Sequence, residues 1–243
     1  MSEEGSMLYI GSWNDFEITN YYPEVKKFVF IDGQPRTEYT PENGKEKYEP
    51  DMYRSRFIEQ IMKSSEENGF TRTSTKIVDH KYMDKIMNLE EKRMNKLPHL
   101  NPEKWIFENE LTGQIIYYHI STSVPVNVGE ELENDIQTCD KLFISGYNPS
   151  AFFLKSIKKP FTLIGSIDTY YELDEDDEFG EDKIFYQLEK NLEVVSMIHQ
   201  YELIDKEDKQ KIKVNNFKEI QKVSHQIWKK HFGDDSDDSD DES

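Results

Sequence analysis

The chain has 243 residues and sets 30 Lys+Arg against 49 Asp+Glu, a formal charge of -19. Its length suits one large domain or two small ones, and its acid excess works against general nucleic-acid binding, which needs cationic side chains to neutralise phosphates. A single cysteine excludes a disulfide framework and a Cys-rich zinc site.

High charge with low hydropathy would suit a disordered chain. However, 14 Phe, 14 Tyr and 3 Trp supply enough bulky carbon for a packed core. No apolar run reaches the ~18 residues that span a bilayer, and the first residues lack the basic and apolar segments of a signal peptide. These features lead us to expect a soluble protein of a reducing compartment, with no membrane partner.

Along the chain, Met7 to Ser12 (MLYIGS) is a short apolar run ending in Gly-Ser and predicts a buried strand. Phe28 to Asp32 (FVFID) predicts a second, and its unbroken apolar character suits a parallel sheet covered on both faces. A polar loop runs from Gly33 to Pro50. Asp51 is the expected cap of a helix that carries Phe57, Ile58, Ile61 and Met62 on one face and ends at Gly69. A third strand is expected near Thr73 to Asp79, and a helix over 81–97 ends at Pro98.

Trp105 to Phe107 and Gln114 to Ser121 flank a turn with Gly113, which predicts a hairpin. Leu132, Ile136 and Cys139 form the stripe of a short helix, with Cys139 as a small buried hydrophobe. Leu142 to Gly146 and Phe161 to Ile167 read as strands joined by a short helix that Asn148 caps and Pro149 begins. That unit implies a parallel pair with a right-handed crossover. After an acid-rich loop, helical spacing resumes at Ile184 to Leu192, while 194–204 fits helix or strand equally. Phe217 to Trp228 is a terminal amphipathic helix.

The pattern predicts an α/β fold, a Rossmann-like three-layer sandwich with a mostly parallel sheet. The expected organisation is a Rossmann-like core over 1–170, an acidic loop over 171–182, an α/β completion over 183–233 and an acidic tail over 234–243. Residues 172–182 hold eight acids, and the last ten residues hold seven acids and three serines. Such runs keep a chain soluble or dock a basic protein partner. Ser239, with Glu242 three residues on, lies in an acidic context where phosphorylation would add further charge.

In open α/β sheets ligands bind beyond the carboxyl ends of the strands. The residues expected there are Gly11, Ser12, Trp13, Asn14 and Asp15 after the first strand, Asp32 after the second, Asp79 after the third, and Asn148 after the later one. Gly11 gives a ligand close approach to the backbone, and an acid about 20 residues on can accept from ribose hydroxyls. Asp79 would then face an adenine amino group, and Trp13 would stack on the base. The full glycine fingerprint is absent, since only Gly11 stands in this loop.

Other chemistries have less to stand on. There is no P-loop and no nucleophile elbow. The six histidines (80, 99, 119, 199, 225 and 231) show no paired metal-ligand spacing, so no metal site is expected. Cys139 has no evident base beside it.

The strand–Gly11 loop, the second strand ending in Asp32 and the third ending in Asp79 resemble a degenerate class I S-adenosylmethionine-dependent methyltransferase fold. Ser145-Gly-Tyr-Asn-Pro149 is loosely similar to the Asn-Pro-Pro-aromatic loop of amino methyltransferases, although it lacks the second proline and its aromatic precedes Asn148. The phrases LYIGSWND, KKFVFIDGQPR, IIYYHISTS and KLFISGYNPS look like uncharacterised Rossmann-like proteins of giant DNA viruses, over roughly residues 7 to 170. A composition with one alanine and 25 lysines to five arginines agrees with AT-rich coding.

The resemblance implies a viral protein expressed in host cytoplasm. It also implies a vestigial or working pocket for S-adenosylmethionine or a nucleotide, with Asn148 orienting a methyl acceptor. Two alternatives stay open: a non-catalytic protein docking a basic partner through its acidic segments, and a nucleotide- or cap-recognising module that stacks a base on Trp13 or Trp105.

Overall fold

A computed structural model describes residues 5–11, 15–33, 50–77, 103–121, 130–145, 157–166 and 192–232. Within them the chain forms β1 (Gly5–Gly11), α1 (Ile18–Tyr21), β2 (Val25–Gly33), α2 (Pro50–Glu67), β3 (Thr71–Ile77), β4 (Glu103–Asn109) and β5 (Gln114–Ser121). There follow α3 (Glu130–Ile136), β6 (Lys141–Ser145), β7 (Phe161–Ser166), α4 (Leu192–Val195), β8 (Ile198–Asp205), β9 (Gln210–Val214) and α5 (Phe217–Phe232). The expected helices over 81–97 and 184–192, the short helix after Asn148 and both acid-rich segments lie outside the described residues, apart from Leu192 at the start of α4 and Ile157, which is expected on the short helix and is buried outside any helix.

The nine strands make one sheet in the order β3-β4-β5-β2-β1-β6-β7-β8-β9. The six from β5 to β8 are parallel, and antiparallel strands finish both edges. This is an α/β protein with a mostly parallel sheet. Progress along the sheet reverses between β1 and its neighbours β2 and β6, which makes the carboxyl end of β1 a topological switch point.

The strand sequences explain the burial. Leu8, Ile10, Val29, Ile31, Leu142, Ile144 and Leu163 belong to one buried cluster, completed by Leu132 and Ile136 of α3, Val194 of α4 and Ile220 of α5. The alternating residues Met7, Tyr9, Phe28, Phe30, Phe143 and Ile164 belong to a second cluster, with Phe16, Ile18 of α1 and Ile61 of α2. Since successive side chains of a strand point to opposite faces, the two clusters lie on opposite faces of the sheet. A run such as FVFID therefore carries an aromatic side and an aliphatic side, and both are buried.

Three local features depart from the sequence reading. Helix α2 starts at Pro50, so Asp51 sits inside the first turn instead of capping it. Proline fits there because the first-turn N–H groups have no helical partner. Helix α3 ends at Ile136, and Cys139 reaches the same cluster from the turn beyond it. β3 is an edge strand antiparallel to β4, so the strand beside β2 is β5.

Other turns follow the reading. Gly69 (φ +77°) ends α2, with Phe70 N–H donating to Ser65 O (2.8 Å) and Gly69 N–H to Glu66 O (3.0 Å), a Schellman closure. Gly113 (φ +69°) turns the β4–β5 hairpin. No helix among the described residues is long and apolar enough to cross a membrane.

Candidate functional site

The six parallel strands end at Ser121, Gly33, Gly11, Ser145, Ser166 and Asp205, taken across the sheet from β5 to β8. Gly11 pairs in register with Asp32 on one side and with Ser145 on the other. Asp32 in turn faces Ile120, and Gly33 faces Ser121. The backbone positions of Gly11 and Asp32 are thus direct neighbours at the switch-point edge, with glycine or serine on the strand ends around them. Ser12, Trp13, Asn14, Asp79 and Asn148 lie outside the described residues.

Asp15 opens the turn into α1. Its Oδ1 accepts from the Glu17 N–H (2.8 Å), and its own N–H donates to Tyr9 Oη (3.4 Å). Asp15 Oδ2 lies 3.8 Å from Lys206 Nζ. Asp15 also borders a small cleft whose walls include Tyr9, Phe143 and Tyr21, with Glu17 and Lys206 beside them. The cleft opens near the carboxyl ends of β1, β6 and β8, on the aromatic side of the sheet. Tyr21 Oη is buried without a hydrogen-bond partner among the described residues. Burial, then the charges of Glu17, Asp15, Asp205 and Glu207, push the Tyr21 hydroxyl pKa up, so a negative field surrounds it.

Two polar clusters escaped the sequence reading. The first lies on the aliphatic face, where Asp135 of α3 meets three basic side chains from three strands. Lys104 Nζ (β4) donates to Asp135 Oδ2 at 2.6 Å, and His119 Nε2 (β5) lies 3.0 Å from the same oxygen. Lys27 Nζ (β2) donates to the Asp135 main-chain carbonyl at 2.8 Å. Lys104 and His119 are buried at 4% and 3% exposure, which makes the arrangement costly unless paired. Tyr117 lies beneath both lysines, with its ring centre 4.2 Å from Lys104 Nζ and 5.6 Å from Lys27 Nζ.

Burial alone would raise the Asp135 pKa, but hydrogen bonds from His119 and Lys104, and their charges, hold it below the ordinary carboxylate value. The sequence did hold a signal. Lys27, Lys104 and His119 occupy the strand positions that share a face with Val29, Ile106 and Tyr117, and charged residues at core register need partners.

The second cluster ties α5 to the β8–β9 turn. His231 Nε2 lies 3.3 Å from Asp205 Oδ2 and 3.8 Å from Asp208 Oδ2. Asp205 Oδ1 accepts from the Asp208 N–H (3.1 Å), Gln210 Nε2 lies 3.3 Å from Asp205 Oδ2, and Lys230 pairs with Asp208. Burial raises the Asp205 pKa, and the Asp208 backbone, Gln210 and His231 more than reverse this. The donor atoms of Asp205, Asp208 and His231 are close enough to share a metal ion. Lys230, His231 and Gln210 already serve the two carboxylates, so the cluster is complete as a structural tie. No spacing rule reaches it, because the turn and the helix end are over 20 residues apart.

Cys139 is fully buried, and burial pushes its thiol pKa up to about 12, which removes it as a nucleophile in the folded protein.

No family model matches the chain, and neither a curated protein nor a solved structure is similar to it.

Proposed function

We propose that this is a Rossmann-like, three-layer α/β protein with an adenosyl- or nucleotide-binding pocket at the carboxyl edge of β1 and β2, methyltransferase-like if it is active. One observation carries the reading: Gly11 and Asp32 stand side by side in register at the switch-point edge. That is where open α/β sheets bind ligands, and there a glycine allows a ligand close to the backbone while a neighbouring acid can accept from its ribose hydroxyls. In this reading Asp32 accepts from the ribose hydroxyls, Gly11 to Asp15 surround the cofactor, Asp79 faces adenine and Asn148 orients the acceptor. Bound S-adenosylmethionine would supply the methyl group.

The experiment is calorimetric titration of the full chain with S-adenosylmethionine, S-adenosylhomocysteine and ATP. Saturable heat that Asp32→Ala abolishes supports the reading, whereas no heat at high micromolar ligand in well-folded protein overturns it. The charge of -19 and the seven acids among the last ten residues favour a second reading, a non-catalytic protein that docks a basic partner. Deleting 234–243 tests it, since the partner should then be lost.

A further inference from the structure

We propose that the cleft beside α1 binds a primary alkylammonium group, which takes the place of Lys206 on Asp15. Three aromatic rings, Tyr9, Phe143 and Tyr21, form part of its wall, and the carboxylates of Asp15 and Glu17 stand with them. Aromatic faces and carboxylates together are the chemistry that holds an organic cation. The room at the bottom of the cleft is water-sized, which suits an ammonium head with its alkyl stem leading out to solvent.

The protein already puts an ammonium there. Lys206 Nζ lies 3.8 Å from Asp15 Oδ2, beyond hydrogen-bond length, on a side chain 42% exposed. So loose a surface pair is worth little and is readily displaced. The buried Tyr21 hydroxyl has no partner among the described residues, so it is an acceptor that an incoming N–H donor would satisfy. Asp205 and Glu207 add to the negative field at this hydroxyl. The site shares Asp15 with the cofactor reading and does not depend on it.

The shared chemistry is an alkylammonium, whether of a free amine or of a protein lysine. The test titrates the full chain with cadaverine and, separately, with an acetylated, amidated lysine peptide, at physiological salt so that diffuse attraction is screened. We expect saturable binding of at least one of them, and the one that binds identifies the source. Lys206→Met removes the competing ammonium and should tighten binding about threefold. Asp15→Asn keeps the oxygen that accepts from Glu17 N–H but loses the charge, and should weaken binding about tenfold. Tyr21→Phe should weaken binding without lowering the melting temperature, because the lost hydroxyl had no partner.

Absence of saturable binding overturns the proposal. So does binding that Lys206→Met and Asp15→Asn leave unchanged, since the acid-rich segments would then be holding the amine. Asp32→Ala should leave amine binding intact, so failure of the cofactor reading and failure of this one are separable.

Discussion

The two faces of the sheet solve the same burial problem with different materials. On one face Phe16 sits among four rings, with centroid distances of 5.5 Å to Phe30, 5.6 Å to Phe70, 5.0 Å to Phe107 and 6.0 Å to Tyr118. Most of these contacts are edge-on, the geometry that ring quadrupoles favour. The opposite face is built mainly from Leu, Ile and Val, with Phe161 as its one fully buried ring among the described residues, under α3, α4 and α5, and it carries the buried Asp135 cluster toward the β4 side. Rings fix shape through direction, and aliphatic side chains fill volume with less directional demand. The aliphatic side can therefore hold a polar knot, provided that every charge in it is paired.

That contrast can be broken in order of expected effect. Phe16→Ala should cost about 3–5 kcal/mol in denaturant unfolding, because a fully buried ring leaves a cavity that its four neighbours cannot close. A loss below about 1 kcal/mol would mean that the aromatic face is less tightly packed than described. Asp135→Asn should cost about 3 kcal/mol by leaving Lys104 buried without its counter-charge. Lys104→Met should cost clearly less, since its stem is apolar and Asp135 keeps Lys27 and His119. Equal losses in the two variants would show that pairing is not what holds the cluster.

On the same comparison, Phe30→Leu should cost about 1–2 kcal/mol more than Ile31→Leu, although the two residues are adjacent on β2 and equally buried. The first loses directed ring contacts, and the second is nearly volume-conserving. The pH dependence adds a smaller effect. Folding lowers the Asp135 and Asp205 pKa values, so the unfolded chain binds more protons as the solution becomes acidic. Their contribution is present above an unfolded value of about 3.9 and is lost as pH falls through the folded values. Acid unfolding curves of Asp135→Asn should therefore be shallower than wild type in that window. The smallest effect is at Leu111, 96% exposed at the hairpin tip, where Leu111→Lys should change stability by less than about 0.5 kcal/mol.

Much of the strand pattern was readable, because buried parallel strands are short apolar runs bounded by turns. β1, β2, β6 and β7 follow from MLYIGS, FVFID, LFISG and FTLIGSI with small changes at their ends. β9 was missed. QKIKV alternates as an edge strand should, with Lys211 and Lys213 on the opposite face from Ile212 and Val214. Its five residues, lysine-rich as protected edges are, form too short a pattern to stand out. Of the candidate site, the alignment of Gly11 with Asp32 was within reach, because both end neighbouring parallel strands. The cleft beside Asp15 was not. Phe143 and Lys206 are brought to it from distant parts of the chain, and no local pattern links them to Asp15.

What the amino-acid order fixes here is local: which runs become strands, where Gly69 and Gly113 must turn, and that β1, β2 and β6 each have an aromatic and an aliphatic side. Sheet order is a different matter. That β5 lies beside β2 while β3 goes to the edge, that Asp135 reaches three basic residues on three strands, and that His231 returns to the β8–β9 turn were decided only in the folded chain. The physical reason is range. Dihedral preference and side-chain alternation act over a few residues, whereas strand neighbours and charge pairs are chosen by the whole chain when it buries its two faces at once.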